Sequence, residues 1–283
     1  MTLISKLKSS YKVRRFMKHK PAVVGVVIVV LFLLAGAFGP TLAPYDPYRQ
    51  GLPRLTPPSW QFPMGTDGFG RDIFSRVLHG ARLSLTVGLG ATALGVCIGG
   101  TLGMLAGYFP KTLERPIMFI TEVLLAFPSI LLAMAVVAIL GTGLTNVIIA
   151  VGVRQVPSYV RMTRSTVLSV RDAEYTEAAR ALGASTPRIL GKTILPNIMA
   201  PLMVYTTLQV GWTILLAALL SFVGLGVQAP TPEWGYMVAE GRAWLRQAPH
   251  VATMPGLVIL ALVMSLNLIG DALRDALDPR LKQ

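Results

Sequence analysis

Residues 21–42, PAVVGVVIVVLFLLAGAFGPTL, hold no charged side chain, and a run of that length decides most of what the chain can become. Crossing about 30 Å of hydrocarbon at 1.5 Å per residue takes roughly 20 apolar residues, and a helix satisfies its own backbone polar groups while doing so. Similar runs follow from Leu83 to Phe109 and from Val251 to Gly270. A charge-free stretch from Val123 to Val153 is too long for one span. Gly141-Thr142-Gly143 supplies a turn in its middle, so the pattern predicts a helical hairpin with arms at Ile117 to Leu140 and Leu144 to Val160. Pro196 and Pro201 interrupt the start of another charge-free run, Thr193 to Pro232, which places the fifth span at Leu202 to Gly226. The expected fold is an all-α membrane protein with six transmembrane helices.

The net charge of +13 invites a nucleic-acid reading until the positions of the 26 Lys and Arg are read. Eighteen fall before the first span and in alternate loops thereafter, seven fall on the other side, and Arg154 lies inside a span. By the positive-inside rule both termini are cytoplasmic. This divides the chain into a basic cytoplasmic N-terminus (1–20), a first span (21–42), an extracytoplasmic loop with an interfacial helix (43–82), a five-helix core (83–270) with a cytoplasmic loop at 161–201, and a cytoplasmic C-terminus (271–283). The basic residues flank membrane helices without a helix-turn-helix or RNP context, so no nucleic-acid partner is expected. The first span also resembles a signal peptide with an Ala35-Gly36-Ala37 cleavage cue, but its length suits a retained anchor. Cys97 is the one cysteine, and His19, His79 and His250 lie far apart, so neither a disulfide framework nor a metal site is expected.

Two further patterns concern packing. Ala91, Gly95, Gly99, Gly103 and Gly107 recur every four residues and lay a ridge of small side chains along one face of the second span, where another helix can approach closely. That neighbour can belong to this chain or to a second one. In Phe69 to Leu85, Phe69, Ile73, Phe74, Val77 and Leu78 share one helical stripe while Arg71, Asp72, Ser75, Arg76 and His79 share the other. The pattern predicts a helix capped by Thr66 or Asp67 and lying in the outer interface, either packed on the bundle or facing substrate.

The segment EYTEAARALGASTPRILGKTILPN, residues 174–197, is polar and lies between apolar runs. Ser169 and Asp172 stand at capping-box spacing, helix formers follow, and Gly183 suits a left-handed helix end. Thr186-Pro187 opens a second short helix that Pro196 stops. Gly191-Lys192-Thr193 has the tail of a phosphate-binding loop, but Thr186 stands where its first Gly belongs and no strand precedes it. Nucleotide hydrolysis by this chain is therefore not expected. What remains is a rigid helix-turn-helix lever between two spans.

Here Glu177-Ala178-Ala179, then Gly183, then nine residues and Thr193-Ile194-Leu195-Pro196 resemble the EAA signature of ABC importer membrane subunits, with Thr193 where Ile is usual. GTDGFGRDIFSR (Gly65 to Arg76), LLAFPSILLA (Leu124 to Ala133), SFVGLGVQAPTPEWG (Ser221 to Gly235) and GDALRDALDPRL (Gly270 to Leu281) extend the similarity to the dipeptide/oligopeptide/nickel permease family, dipeptide permease C type, over nearly the whole chain. The resemblance implies an ABC importer permease fold with a cytoplasmic coupling helix pair in a bacterial inner membrane. It implies a homologous second permease, two cytoplasmic ATPase subunits that bind ATP and Mg, and an extracytoplasmic solute-binding protein, with no cofactor on this chain. It also implies that Glu177, Ala178, Ala179, Arg180, Gly183, Ile194, Leu195 and Pro196 form the ATPase-coupling element. The cargo is a di- or oligopeptide, or alternatively nickel or another small solute; a secondary transporter is the rival from a different class.

Arg154 is the basic residue well inside a span, at a cost of roughly 2.5–3.5 kcal/mol on insertion scales. It can face a substrate carboxylate, pair structurally, or snorkel toward the inner boundary about 10 Å away. Glu122 lies about 12 Å off in axial register, too far for an easy pair. Pro128 and Pro157 are expected to kink spans three and four and open a cavity along the pathway.

Overall fold

The computed structural model describes residues 16–17 and 19–277, and every described element is helical. The basic tail before residue 16 and residues 278–283 of the C-terminal segment lie outside the described residues. The helices are α1 (Lys20–Leu42), α2 (Ile73–Tyr108), α3 (Glu114–Ala126), α4 (Ser129–Leu140), α5 (Leu144–Arg171), α6 (Glu174–Ala181), α7 (Thr186–Phe222), α8 (Trp234–Gly241) and α9 (His250–Leu277).

Four of these, α1, α2, α7 and α9, are long and apolar enough to cross a membrane, and α3 with α4 qualifies as a fifth, bent span. The expected count of six is thus not matched by apolarity alone. The helix that falls short is α5, whose 28 residues include Arg154, Gln155, Arg161 and Arg164. Its polarity is tolerable because α5 is the central helix: Val147, Ala150, Val151, Tyr159, Val160 and Val167 are all buried.

The neighbour of the small-residue ridge is α5 of the same chain. A Cβ added at Gly95 would meet Gln155, one at Gly99 would meet the Val156 carbonyl and Tyr159, and one at Gly103 would meet Val160 and Thr163. With nothing but hydrogen on the α2 side, the two backbones come together at van der Waals contact. A π turn over Val96–Gly100 sits within this ridge.

Four prolines do not all act as breakers. Pro128 was expected to kink the third span; instead α3 and α4 are separate helices at 95°. The cause is local: Pro128 has no N–H to donate, and it forces Phe127 into an extended conformation, φ −82° and ψ 136°. Pro157 sits inside an uninterrupted α5. Pro196 was expected to stop a short helix and Pro201 to delay the fifth span to Leu202, yet α7 runs on through both. A π turn over Ile189–Ile194 shifts the hydrogen-bond register ahead of Pro196, and the Asn197 side-chain amide donates to the Thr193 carbonyl at 2.6 Å. The Gly141-Thr142-Gly143 turn forms with both glycines at positive φ, and the Asn146 amide caps the end of α4 through the Leu140 and Gly141 carbonyls.

The interfacial helix expected over Phe69 to Leu85 is the first part of α2, continuous with the span and capped by Asp72, which accepts from the Ser75 N–H at 2.7 Å. Both of its stripes are covered, the polar one along with Ile73 and Val77 of the apolar one. Arg71, Asp72, Ser75 and Arg76 are buried while Phe69 is exposed. Arg71 lies 2.6 Å from Asp67 and 2.5 Å from Glu240 on α8, and Arg76 donates to the Pro47 carbonyl at 3.2 Å while facing the same two carboxylates. Burial works to lower the pKa of Arg71, but the hydrogen bonds and charges of Glu240 and Asp67 outweigh it and hold the guanidinium charged. Beside this cluster Trp234 is fully buried, with its indole N–H donating to the Val77 carbonyl at 2.9 Å. The loop before α2 and the loop before α9 are therefore stapled into one polar cap.

Candidate functional site

The segment after α5 folds as two helical pieces, α6 and the first turns of α7, separated at Gly183. Ala173 occupies the N-cap of α6 without a side-chain bond, while Ser169, expected to open the capping box, is still inside α5 and donates to Thr166. Thr176 instead ties α6 back to α5 through the Val170 carbonyl at 2.9 Å. At the other end Gly183 takes φ +74°, with Gly183 N–H donating to Arg180 and Ala184 N–H donating to Ala179, the pairing of a Schellman stop. Ser185 rather than Thr186 is the N-cap of the second piece, with Pro187 in its first turn. Gly191-Lys192-Thr193 is part of the π turn, so its amides are engaged in a helix rather than arranged as a phosphate nest.

Burial splits the expected coupling residues into two sets. Glu177, Ala178, Arg180, Gly183, Leu195 and Pro196 are exposed. Ile194 is fully buried in a cluster with Val167, Ile189 and Ile198, and Ala179 packs against that cluster together with Met104 and Tyr108 of α2. Ala179 thus lets α6 approach the bundle closely. Arg180 lies over the Tyr108 ring at 5.5 Å and reaches the Arg171 carbonyl at 3.3 Å, while Arg171 reaches the Gly107 carbonyl at 3.2 Å. The hydrogen bond from Arg171, and then the charges of Arg171 and Arg180, hold the exposed Asp172 carboxyl below its ordinary range. Glu114 at the start of α3 pairs with Arg164 of α5. These contacts tie α6 to α2 and α5, and α3 to α5. Sequence reasoning did not single out Leu182, which stands 87% exposed just after α6. A large apolar residue one position before a C-terminal glycine was the available signal.

Higher in the bundle, Arg154, Ser158, Arg161 and Ser165 follow one another on one stripe of α5 at intervals of three and four residues. Beside the stripe is a cavity of about 280 Å³ lined by Leu125, Ser158, Arg161, Met162, Ser165 and Tyr205. Leu125 sits just before the break at Pro128, so the broken span forms one wall. Arg154 faces Tyr205 and, among the described residues, its Nη1 has no hydrogen-bond partner. Pro157 is buried and does not line the cavity. Gln155 is completely buried, and among the described residues both of its amide atoms are unpaired.

These arrangements have counterparts. The family model described as the binding-protein-dependent transport system inner membrane component matches residues 99–283. The chain belongs to this family. A second model, the N-terminal TM domain of oligopeptide transport permease C, matches residues 11–58. The di/tripeptide transport system permease protein DppC of Pseudomonas aeruginosa is 47% identical over 276 residues, covering 94% of this chain and 90% of its own. The dipeptide transport system permease protein DppC of Alkalihalophilus pseudofirmus is 45% identical over 283 residues, covering 99% and 92%. The glutathione transport system permease protein GsiD of Pectobacterium atrosepticum is 45% identical over 271 residues, covering 95% and 90%. Two solved structures of the MetNI methionine ABC transporter in inward-facing conformations share the fold at TM-scores of 0.59 and 0.61 and 22% identity, covering 71% and 72% of this chain. The permease is thus a multi-pass inner-membrane transport subunit that works in a complex with a binding protein.

Proposed function

We propose that this permease forms half of the translocation pathway of an ATP-driven importer of di- or oligopeptides and transmits the work of separate ATPases to it. The peptide cargo is supported by relatives named for dipeptides, tripeptides and glutathione at 45–47% identity. A homologous permease completes the pathway, two cytoplasmic ATPase subunits carry ATP and Mg, and both termini are cytoplasmic, as the charge distribution suggests. Arg154 and the break at Pro128 border the path, whereas Pro157 serves helix packing.

One observation carries the coupling role: α6 is locked by its inner face to α2, α5 and α7 while its outer face stays free. On that outer face Glu177 offers a carboxylate, Ala178 a close approach and Leu182 an apolar knob for a cleft in the ATPase. Ile194 holds the lever to its bundle, and Leu195 and Pro196 form the stiff joint into α7. Closure of the ATPase pair pulls the lever and tilts the attached spans; hydrolysis resets it.

Gly183→Leu tests this. A Cβ there meets nothing within 4 Å, so the substitution acts through the left-handed φ and the angle it sets. The expected result is normal membrane insertion with uptake lost. Full uptake at normal expression counts against the lever. Affinity purification of the wild-type permease brings down ATPase subunits; a chain that purifies without them and still transports is a secondary carrier.

A further inference from the structure

We propose that the stripe Arg154, Ser158, Arg161 and Ser165, with Tyr205 opposite, is a binding station for the carboxylate end of the cargo inside the permease. The inference rests on the reading of this chain as a peptide-importer subunit and adds the group that the pathway recognises. Three observations support it. Ser158, Arg161 and Ser165 of the stripe, with Tyr205, place polar groups in an otherwise mainly apolar cavity of about 280 Å³, and Arg154 stands just outside its lining. Arg154 lies one turn beyond Ser158 on the same stripe, and its Nη1 is out of contact with water and unpaired among the described residues. With no ion-pair partner for it among the described residues, a guanidinium at that depth disfavours the empty state, and an incoming carboxylate is the group that fits its forked donors.

The second cation sets a direction. Arg161 is seven residues further along α5, about 10 Å toward the end that carries α6. A carboxylate leaving Arg154 therefore meets a second cation on its way to the cytoplasmic side, with the Ser158, Ser165 and Tyr205 hydroxyls between and beyond them. Two weak stations in series let an anion pass where one strong site would hold it. The free ammonium end of the same peptide is repelled by both, so the arrangement selects the orientation of the chain as well as its charge.

The test uses the transporter purified with its own partners in nanodiscs, without ATP or binding protein. Saturation-transfer NMR is recorded with L-alanyl-L-alanine and with its C-terminal amide. The free acid is expected to give the signal, with the amide weaker by about tenfold or more. Arg154→Gln is expected to lose the preference for the acid, and Arg154→Lys to keep part of it. The thermal midpoint of Arg154→Gln should stay level or rise, because an unpaired buried charge has been removed. Equal signals from acid and amide overturn the proposal, as does an Arg154→Gln variant that keeps the acid preference. So does a midpoint that falls in Arg154→Gln and recovers in Arg154→Lys, which assigns Arg154 to structure. Import by vesicles supplied with binding protein and ATP separates the two levels. If the wild type imports no dialanine, the peptide reading fails and takes the station with it; if Arg154→Gln imports dialanine at the wild-type rate, only the station fails.

Discussion

Gly99→Ala and Gly100→Ala differ by one residue in the same π turn and should move stability in opposite directions. A Cβ at Gly99 would stand 2.5 Å from the Val156 carbonyl oxygen and 2.6 Å from the Tyr159 Cβ, whereas ordinary contact begins at 3.4 Å. Taking 2.5 Å from 3.4 Å, α2 and α5 must separate by about 0.9 Å at that level, since both obstacles are backbone or backbone-proximal and cannot rotate away. A gap of that size forfeits a quarter to a half of each dispersion contact it opens, and overpacking of this kind costs about 1–3 kcal/mol. At Gly100 an added Cβ meets nothing within 4 Å. Both variants gain the roughly 1 kcal/mol by which Ala exceeds Gly in helices, so the difference between them isolates the contact. For a chain of this size about 1–3 kcal/mol corresponds to a gap of at least ~2 °C in Tm. Thermal unfolding followed by tryptophan fluorescence in one detergent checks it. If Gly99→Ala melts at or above Gly100→Ala, the α2–α5 seam is not the close contact argued here.

Glu240→Ala leaves Arg71 and Arg76 facing a single carboxylate; breaking a buried ion pair from one side costs about 3–5 kcal/mol, which a fall in Tm and faster trypsin cleavage after Arg49 or Arg54 should reveal. Gln155→Met replaces a fully buried amide with two unpaired atoms by an apolar side chain of similar shape; Tm should rise by an amount equivalent to about 1 kcal/mol or more, and a fall would mean that the amide is paired.

The parts of this fold that a linear reading captured are those governed by neighbours in sequence. Charge-free runs marked the long apolar helices, though not where α7 begins, paired glycines located the α4–α5 turn, and Gly183 announced a left-handed helix end. What escaped depends on partners far along the chain. Arg71 and Arg76 look like a solvated stripe because Glu240, which neutralises them, is 169 residues from Arg71. Ser169 and Asp172 match a capping box, but α5 runs through Ser169 because Thr163 and Val167 are buried against other helices, and that packing outweighs a local cap. The EAA signature marked the segment proposed here for coupling without distinguishing its two faces. Only packing shows that Ile194 and Ala179 point inward while Glu177 and Leu182 point out.

That division has a mechanical consequence for Ile194→Ala. The cluster of Val167, Ile189, Ile194 and Ile198 is separate from the two larger apolar clusters of the bundle, so opening it loosens the lever without unfolding the spans. Ile194 is fully buried, and truncating such a side chain to Ala removes about 2–5 kcal/mol of local packing. The exposed face carrying Glu177 and Leu182 is untouched, so ATPase subunits should still bind. A lever that binds its motor but is poorly joined to α2, α5 and α7 moves without moving them. In the purified, reconstituted transporter, ATP turnover should therefore persist while peptide uptake per ATP falls several-fold. Re-filling the space with Ile194→Leu or Ile194→Val should restore most of the ratio, since both return apolar volume to the cluster. If ATP turnover and uptake fall in parallel, Ile194 matters for assembly rather than for transmission, and the rigid joint between α6 and the bundle is not how force reaches the pathway.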